Sequence, residues 1–122
     1  MLRSDLITSE IQKLAQVLAR IIGLKIENPE LLFEELKNAI DSNFILPLNE
    51  LTSMNLDELE NSFKSSNYSA EQIDMLVKFV VQLWNVKPSY EHRQLILNLI
   101  QLLEDKYQYM NFDFMQIKKT LK

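Results

Sequence analysis

The chain has 122 residues, 47% of them hydrophobic and 25% charged, so it can bury a core and is too apolar for wholesale disorder. Its formal net charge is −4, and residues 27–60 carry nine acids but one base, which disfavours generic binding to phosphate backbones. With one glycine and no cysteine, the chain has no Gly-rich phosphate loop, disulfide or thiolate metal site.

The first predicted helix runs from about residue 4 to residue 22 and carries a stripe of apolar residues in heptad spacing. The stripe consists of Ile7, Ile11, Leu14, Leu18 and Ile21. Two interpretations remain open: the stripe packs inside the molecule, or it forms a coiled-coil-like seam between two copies. Gly23 is predicted to end the helix in the left-handed conformation, with Leu24 making the apolar contact that follows such an end.

Three shorter helices are predicted in the acidic middle of the chain. Asn28 and Pro29 begin a helix that ends near residues 42–43, because an Asn cap followed by proline suits a first turn. Pro47 begins a short helical turn. Asn55 caps a further helix, with Glu58 at the capping-box position. We interpret the acids of this region as a solvated helix face.

Two long helices, over about 69–85 and 89–107, are predicted to form an antiparallel hairpin. Ser69 and Gln72 form a capping box at the start of the first, Pro88 interrupts the chain, and Ser89 caps the second. A short last helix begins near residues 111–113. We therefore expect an all-α fold of five to seven helices, a single domain over residues 1–122, with the first helix packed along the hairpin.

The sequence shows no pattern of catalytic or metal-binding residues. His92 is the only histidine, and its place in the first turn of a helix predicts a surface position. Helical di-metal sites use Glu-x-x-His pairs, calcium loops need a glycine, and hydrolase elbows need Gly-x-Ser-x-Gly, and none of these occurs. We expect no enzyme activity, no catalytic residue, no cofactor and no metal.

A second candidate interface lies near the carboxyl end, where aromatic residues are concentrated together with Met110 and Met115. The aromatic residues are Tyr107, Tyr109, Phe112 and Phe114. Aromatic and methionine side chains are enriched at interfaces, but a cluster like this also serves as a plug that packs a last helix onto a hairpin. Both interpretations remain open, and the residues of the stripe and of this cluster are the predicted interface.

Parts of the chain resemble known helical proteins. The hairpin over residues 69–108, followed by another helix near residue 112, is similar to tetratricopeptide-like repeats. Its period of about 42 residues departs from the ~34 of a tetratricopeptide unit and lies within the ~40–47 of HEAT-like units. The small residues that let tetratricopeptide helices nest are replaced by Val80, Leu83 and Leu99.

The amino-terminal part resembles the opening of small bacterial all-helical proteins that have a tetratricopeptide-like carboxyl-terminal part. The matching runs are Asp5-Leu6-Ile7, Ile11-Gln12-Lys13-Leu14-Ala15 and Leu18-Ala19-Arg20-Ile21-Ile22-Gly23. That family carries no established activity. The resemblance therefore implies a non-enzymatic helical module of bacterial type and provides no site residues.

From these features we expect a protein-interaction or oligomerisation module that acts through apolar helix faces. Its partner would be another protein or a second copy, as in a homodimer formed through the first helix. We expect a cytoplasmic protein without a secretory signal, a membrane span or a nucleic-acid partner. The alternative is a carrier of an apolar, lipid-like molecule, enclosed by residues such as Val77, Val80, Trp84 and Leu99.

Overall fold

The structure is a computed structural model that describes the backbone of residues 2–121 and the side chains of residues 8–121. Within that range it contains seven helices and no strand, which confirms the predicted all-α fold. The helices are α1 (Leu2–Gly23), α2 (Pro29–Asn43), α3 (Leu48–Ser53), α4 (Leu56–Ser65), α5 (Ala70–Val86), α6 (Tyr90–Lys106) and α7 (Asp113–Thr120).

Side-chain caps begin four of these helices where the sequence predicts them. The Asn28 side chain accepts hydrogen bonds from the first amides of α2, and Ser89 accepts one from the backbone N–H of His92 in α6. The capping boxes at the starts of α4 and α5 have both of their reciprocal bonds. These contacts satisfy amides that have no partner within the helix, so the local sequence determines where each helix starts.

The hairpin of α5 and α6 lies at the centre of the fold. The first two helices pack on α5, while α3 and α4 pack on α6. Residues from all seven helices contribute to one buried apolar cluster, in which Phe63, Phe79 and Phe114 are the largest fully buried side chains. The described helices thus share one core, and the tetratricopeptide-like character of the hairpin stays a prediction.

None of the helices within residues 2–121 combines the length and the hydropathy that a bilayer-crossing segment requires. This finding agrees with the interrupted apolar pattern of the sequence, in which every helix contains at least one charged residue.

The end of α1 differs from the prediction. Gly23 is the last residue of the helix and has a negative φ, whereas Lys25 takes the left-handed conformation with φ 49°. The amides of Leu24 and Lys25 continue the helical bonding, donating to the carbonyls of Arg20 and Ile22. The helix therefore runs one residue further than the glycine signal indicates, and the strained position falls on a residue with a side chain.

Gly23→Ala should consequently stabilise the protein by about 0.5–1 kcal/mol, because alanine loses less backbone entropy than glycine on entering a helix. A β-carbon at this position would meet no atom within 4 Å. Urea unfolding of the two proteins measures the difference. A destabilised Gly23→Ala variant would instead support a left-handed Gly23. Lys25→Gly, at the residue that does have a positive φ, is the matched variant and should also be stabilising.

Candidate interaction surface

Most of the apolar stripe of α1 faces the core of its own chain. Leu14, Leu18 and Ile21 are buried, and Ile11 is half-buried against the same cluster. The side chain of Ile7 lies outside the described residues. The buried members pack where α1 meets α2 and α5, as the intramolecular interpretation expects, so their surface is unavailable to a second copy unless the fold opens.

The aromatic residues near the carboxyl end divide into inward-facing and outward-facing members. Phe114 is fully buried, and its ring centroid lies 6.3 Å from that of Tyr109. Both Tyr107 and Tyr109 are half-buried against the core. Phe112, in contrast, is 97% exposed. The plug interpretation therefore applies to Phe114, whereas Phe112 is free to contact another molecule.

Phe112 has two exposed apolar neighbours, Met110 and Met115, which are 82% and 68% exposed. We call Met110, Phe112 and Met115 the contact corner. The methionines are not among the predicted interface residues, because the sequence does not reveal which members of this apolar run point outward. A second apolar patch, Leu24 and Leu31 at the junction of α1 and α2, is only about half exposed.

The segment that carries the contact corner is tied to α5 through Asp74, a residue for which the sequence analysis proposes no role. Asp74 is 5% exposed, and its Oδ2 accepts hydrogen bonds from the Tyr109 hydroxyl at 2.8 Å and from Asn111 Nδ2 at 3.1 Å. Burial raises the pKa of Tyr109, and donation to the Asp74 carboxylate raises it further. The tyrosine therefore stays a donor across the physiological pH range.

Separate contacts hold α7 behind the contact corner. Arg93 Nε of α6 donates to the backbone carbonyl of Leu121 at 2.8 Å, and Lys118 Nζ lies 2.9 Å from Glu104 Oε1. Phe114 anchors the first turn in the core. Met115 therefore projects from a helix whose position does not depend on the Asp74 contacts.

His92 is buried, with 7% of its surface exposed, so the predicted surface position is wrong. Its ring packs 5.7 Å from the ring of Phe33 on α2, a contact between residues 59 positions apart that no local pattern indicates. The imidazole lines a shallow cleft of about 180 Å³ with Phe33, Lys37 and Glu91 among its neighbours. Burial lowers the pKa of His92, which keeps the ring neutral at pH 7.

The lowered pKa predicts acid sensitivity that depends on His92. At a pH between the ordinary histidine pKa of 6.5 and the lower pKa in the folded protein, His92 binds a proton in the unfolded chain but not in the folded one. The free energy of unfolding should therefore fall as the pH drops from about 7.5 to about 5.5, above the range where most carboxylates titrate. Urea titrations at both pH values measure the loss. His92→Gln should show a smaller loss, and an equal loss in both proteins would contradict this origin.

The residues named for the lipid-carrier alternative occupy two different environments. Val77, Val80 and Leu99 have no accessible surface, whereas Trp84 is half-buried and lines a cleft of about 110 Å³ with Ile117 and Leu121. The lipid-carrier alternative stays a prediction. Within residues 8–121, no three His, Asp or Glu side chains are grouped closely enough to hold a metal ion.

Comparison of the chain with protein-family models, with curated proteins and with solved structures finds no match. The function therefore has to be inferred from the geometry of the chain itself. Its most distinctive surface feature is the contact corner, because three large apolar side chains close together in the sequence are exposed on a segment and a helix that are both fastened to the core.

Proposed function

We propose that the protein is a non-enzymatic interaction module of the cytoplasm, and that it binds a partner protein through the contact corner. The observation that carries the proposal is the 97% exposure of Phe112 between two exposed methionines. Aromatic residues and methionine are enriched in the cores of protein interfaces, and the flexible methionine side chain adapts to a partner's surface. The buried stripe of α1 has no part in this proposal.

The stability of the fold does not explain why an apolar residue occupies the exposed position 112. A side chain that stays in water gains nothing from the hydrophobic effect when the chain folds, so a polar residue there would serve the fold equally well. Single exposed apolar residues are common on protein surfaces, but here two further exposed apolar residues, Met110 and Met115, lie within three positions of Phe112 in the sequence. Binding a partner would remove this surface from water, which is the gain that folding does not supply.

The contact corner is also well placed to bind without a large entropic cost. Asp74 fastens the residues on both sides of Met110, and Phe114 fixes the helix that carries Met115. A surface that is already ordered loses less conformational freedom on association than a mobile loop would. This arrangement supports a specific contact rather than indiscriminate stickiness.

Site-specific photocrosslinking tests the proposal. A photoreactive phenylalanine analogue replaces Phe112, and the native cells are irradiated. The matched control carries the same analogue at Tyr90, an aromatic residue that is 74% exposed on another part of the surface. We expect one discrete product from position 112 that is missing from position 90.

The mass of the product identifies the kind of partner. A product of twice the chain mass is a second copy, and any other discrete mass is a different protein, which mass spectrometry then identifies. No product from position 112, or the same pattern of products from both positions, would reject the contact corner as an interface.

A further inference from the structure

The segment over residues 107–112, between α6 and α7, has its side chains alternately inside and outside. Tyr109 and Asn111 are partly buried, while Gln108, Met110 and Phe112 are exposed. Gln108 takes the left-handed conformation with φ 50°, which turns the chain out of α6. Its backbone is bonded to the ends of α6 and α7, through the amides of Tyr107 and Tyr109 and the carbonyl of Asn111, so only side-chain contacts hold it against α5.

The side-chain hydrogen bonds that hold this segment meet at a single atom. The Tyr109 hydroxyl and the Asn111 amide both donate to Oδ2 of Asp74, across 35 and 37 positions of sequence. The other oxygen, Oδ1, is buried and has no hydrogen-bond partner among the described residues. A buried carboxylate that is only half satisfied offsets part of the gain from its two bonds, so this fastening is weaker than a complete network would be.

The helices on both sides are secured independently of Asp74. The hairpin partner α6 is buried along the core, and α7 is held by Phe114 and by the bond from Arg93 to the Leu121 carbonyl. Detachment from α5 would therefore break the two bonds to Asp74 and leave the buried turns of both helices in place, while the helix ends that are bonded to Tyr109 and Asn111 would fray. Phe112 caps α7 and stays next to Met115, so detachment would carry Met110 away from both and disperse the contact corner.

We infer that residues 107–112 form a latch that Asp74 fastens, and that opening of this latch withdraws the contact corner. The inference rests on the proposed function for its consequence, because the latch regulates the same surface. Asp74 is a positioning residue here: it sits in the core and acts on the surface through Tyr109 and Asn111.

Amide hydrogen exchange of the free protein tests the latch, with Tyr109→Phe as the variant. This change removes the hydroxyl that donates to Asp74 and keeps the ring that packs near Phe114. The reporter is the amide of residue 109, which donates to the Leu103 carbonyl at 2.9 Å. We expect its exchange to become about ten- to a hundredfold faster, while amides in the middle of α5 keep their wild-type rates.

Tyr107→Phe is the matched control. It is the same substitution two residues away, and the Tyr107 hydroxyl is buried with no hydrogen-bond partner among the described residues. Exchange at residue 109 should stay at the wild-type rate in this variant. Unchanged exchange in Tyr109→Phe, or equal acceleration throughout α5, would overturn the latch as a separately opening unit.

The consequence for the contact corner is tested by placing the photoreactive residue at position 112 in the Tyr109→Phe protein. We expect the yield of the crosslinked product to fall severalfold. Faster amide exchange at residue 109 together with an unchanged yield of crosslinked product would show that opening the latch does not regulate the contact corner. Absence of the product in the otherwise wild-type chain would reject the proposed function, and the exchange rates would still decide whether the latch exists.

Discussion

Leu14→Glu should lower the free energy of unfolding by at least about 4 kcal/mol, enough to unfold a marginally stable domain. Leu14 is buried where α1 packs into the core, so glutamate would lose the apolar contacts of leucine and place an unpaired carboxylate in an apolar environment. Circular dichroism during urea unfolding measures the loss.

Ala15→Glu provides the control for this experiment. Ala15 is the next residue of the helix and is exposed, and glutamate has a good helix propensity, so the free energy of unfolding should change by less than about 0.5 kcal/mol. A folded, stable Leu14→Glu protein that sediments at a lower mass than the wild type would contradict the internal packing and support the seam between two copies.

Phe114→Ala should cost about 3–5 kcal/mol, because it empties the core position that anchors the first turn of α7. The expected result is a lower urea midpoint together with faster amide exchange in α7, whose remaining core contacts come from Ile117 and from Leu121 at its end. The substitution thus tests the structural role of Phe114 separately from the binding role proposed for Phe112.

Phe112→Ala is the matched variant, two residues away. Its side chain buries almost no surface, so stability should stay within about 0.5 kcal/mol of the wild type. Retention of the partner on the immobilised protein should nevertheless be lost, because truncating a hot-spot aromatic costs more than about 2 kcal/mol of binding. Equal destabilisation by the two variants, or unchanged retention with Phe112→Ala, would contradict the division of roles.

The helices could be predicted because their signals are local. Asn55 with Glu58 and Ser69 with Gln72 occupy capping positions that a short stretch of sequence reveals, and the structure forms both boxes. The predicted left-handed Gly23 at the end of α1 is wrong, although its signal is local as well. Glycine adopts left-handed and right-handed backbone conformations with similar ease, so its presence does not fix the left-handed one. In this chain Lys25 takes that conformation instead.

The site could be predicted only in part, because it depends on contacts between distant residues. The sequence indicates the aromatic cluster but not which side of it Phe114 and Phe112 would face. Asp74 was overlooked within a helix whose neighbouring positions are apolar, since its partners lie more than thirty residues away. A charged residue between Ile73 and Met75 is the signal that could have raised the question, because buried charges require partners.

The exposed apolar side chains of the contact corner also affect the solubility of the protein. Near neutral pH the net charge of −4 makes the protein molecules repel one another, which opposes aggregation through Phe112 and its methionine neighbours. At the isoelectric point of about 5.0 that repulsion vanishes while the corner remains. Turbidity should therefore rise near this pH, and a polar residue in place of Phe112 should keep the solution clear.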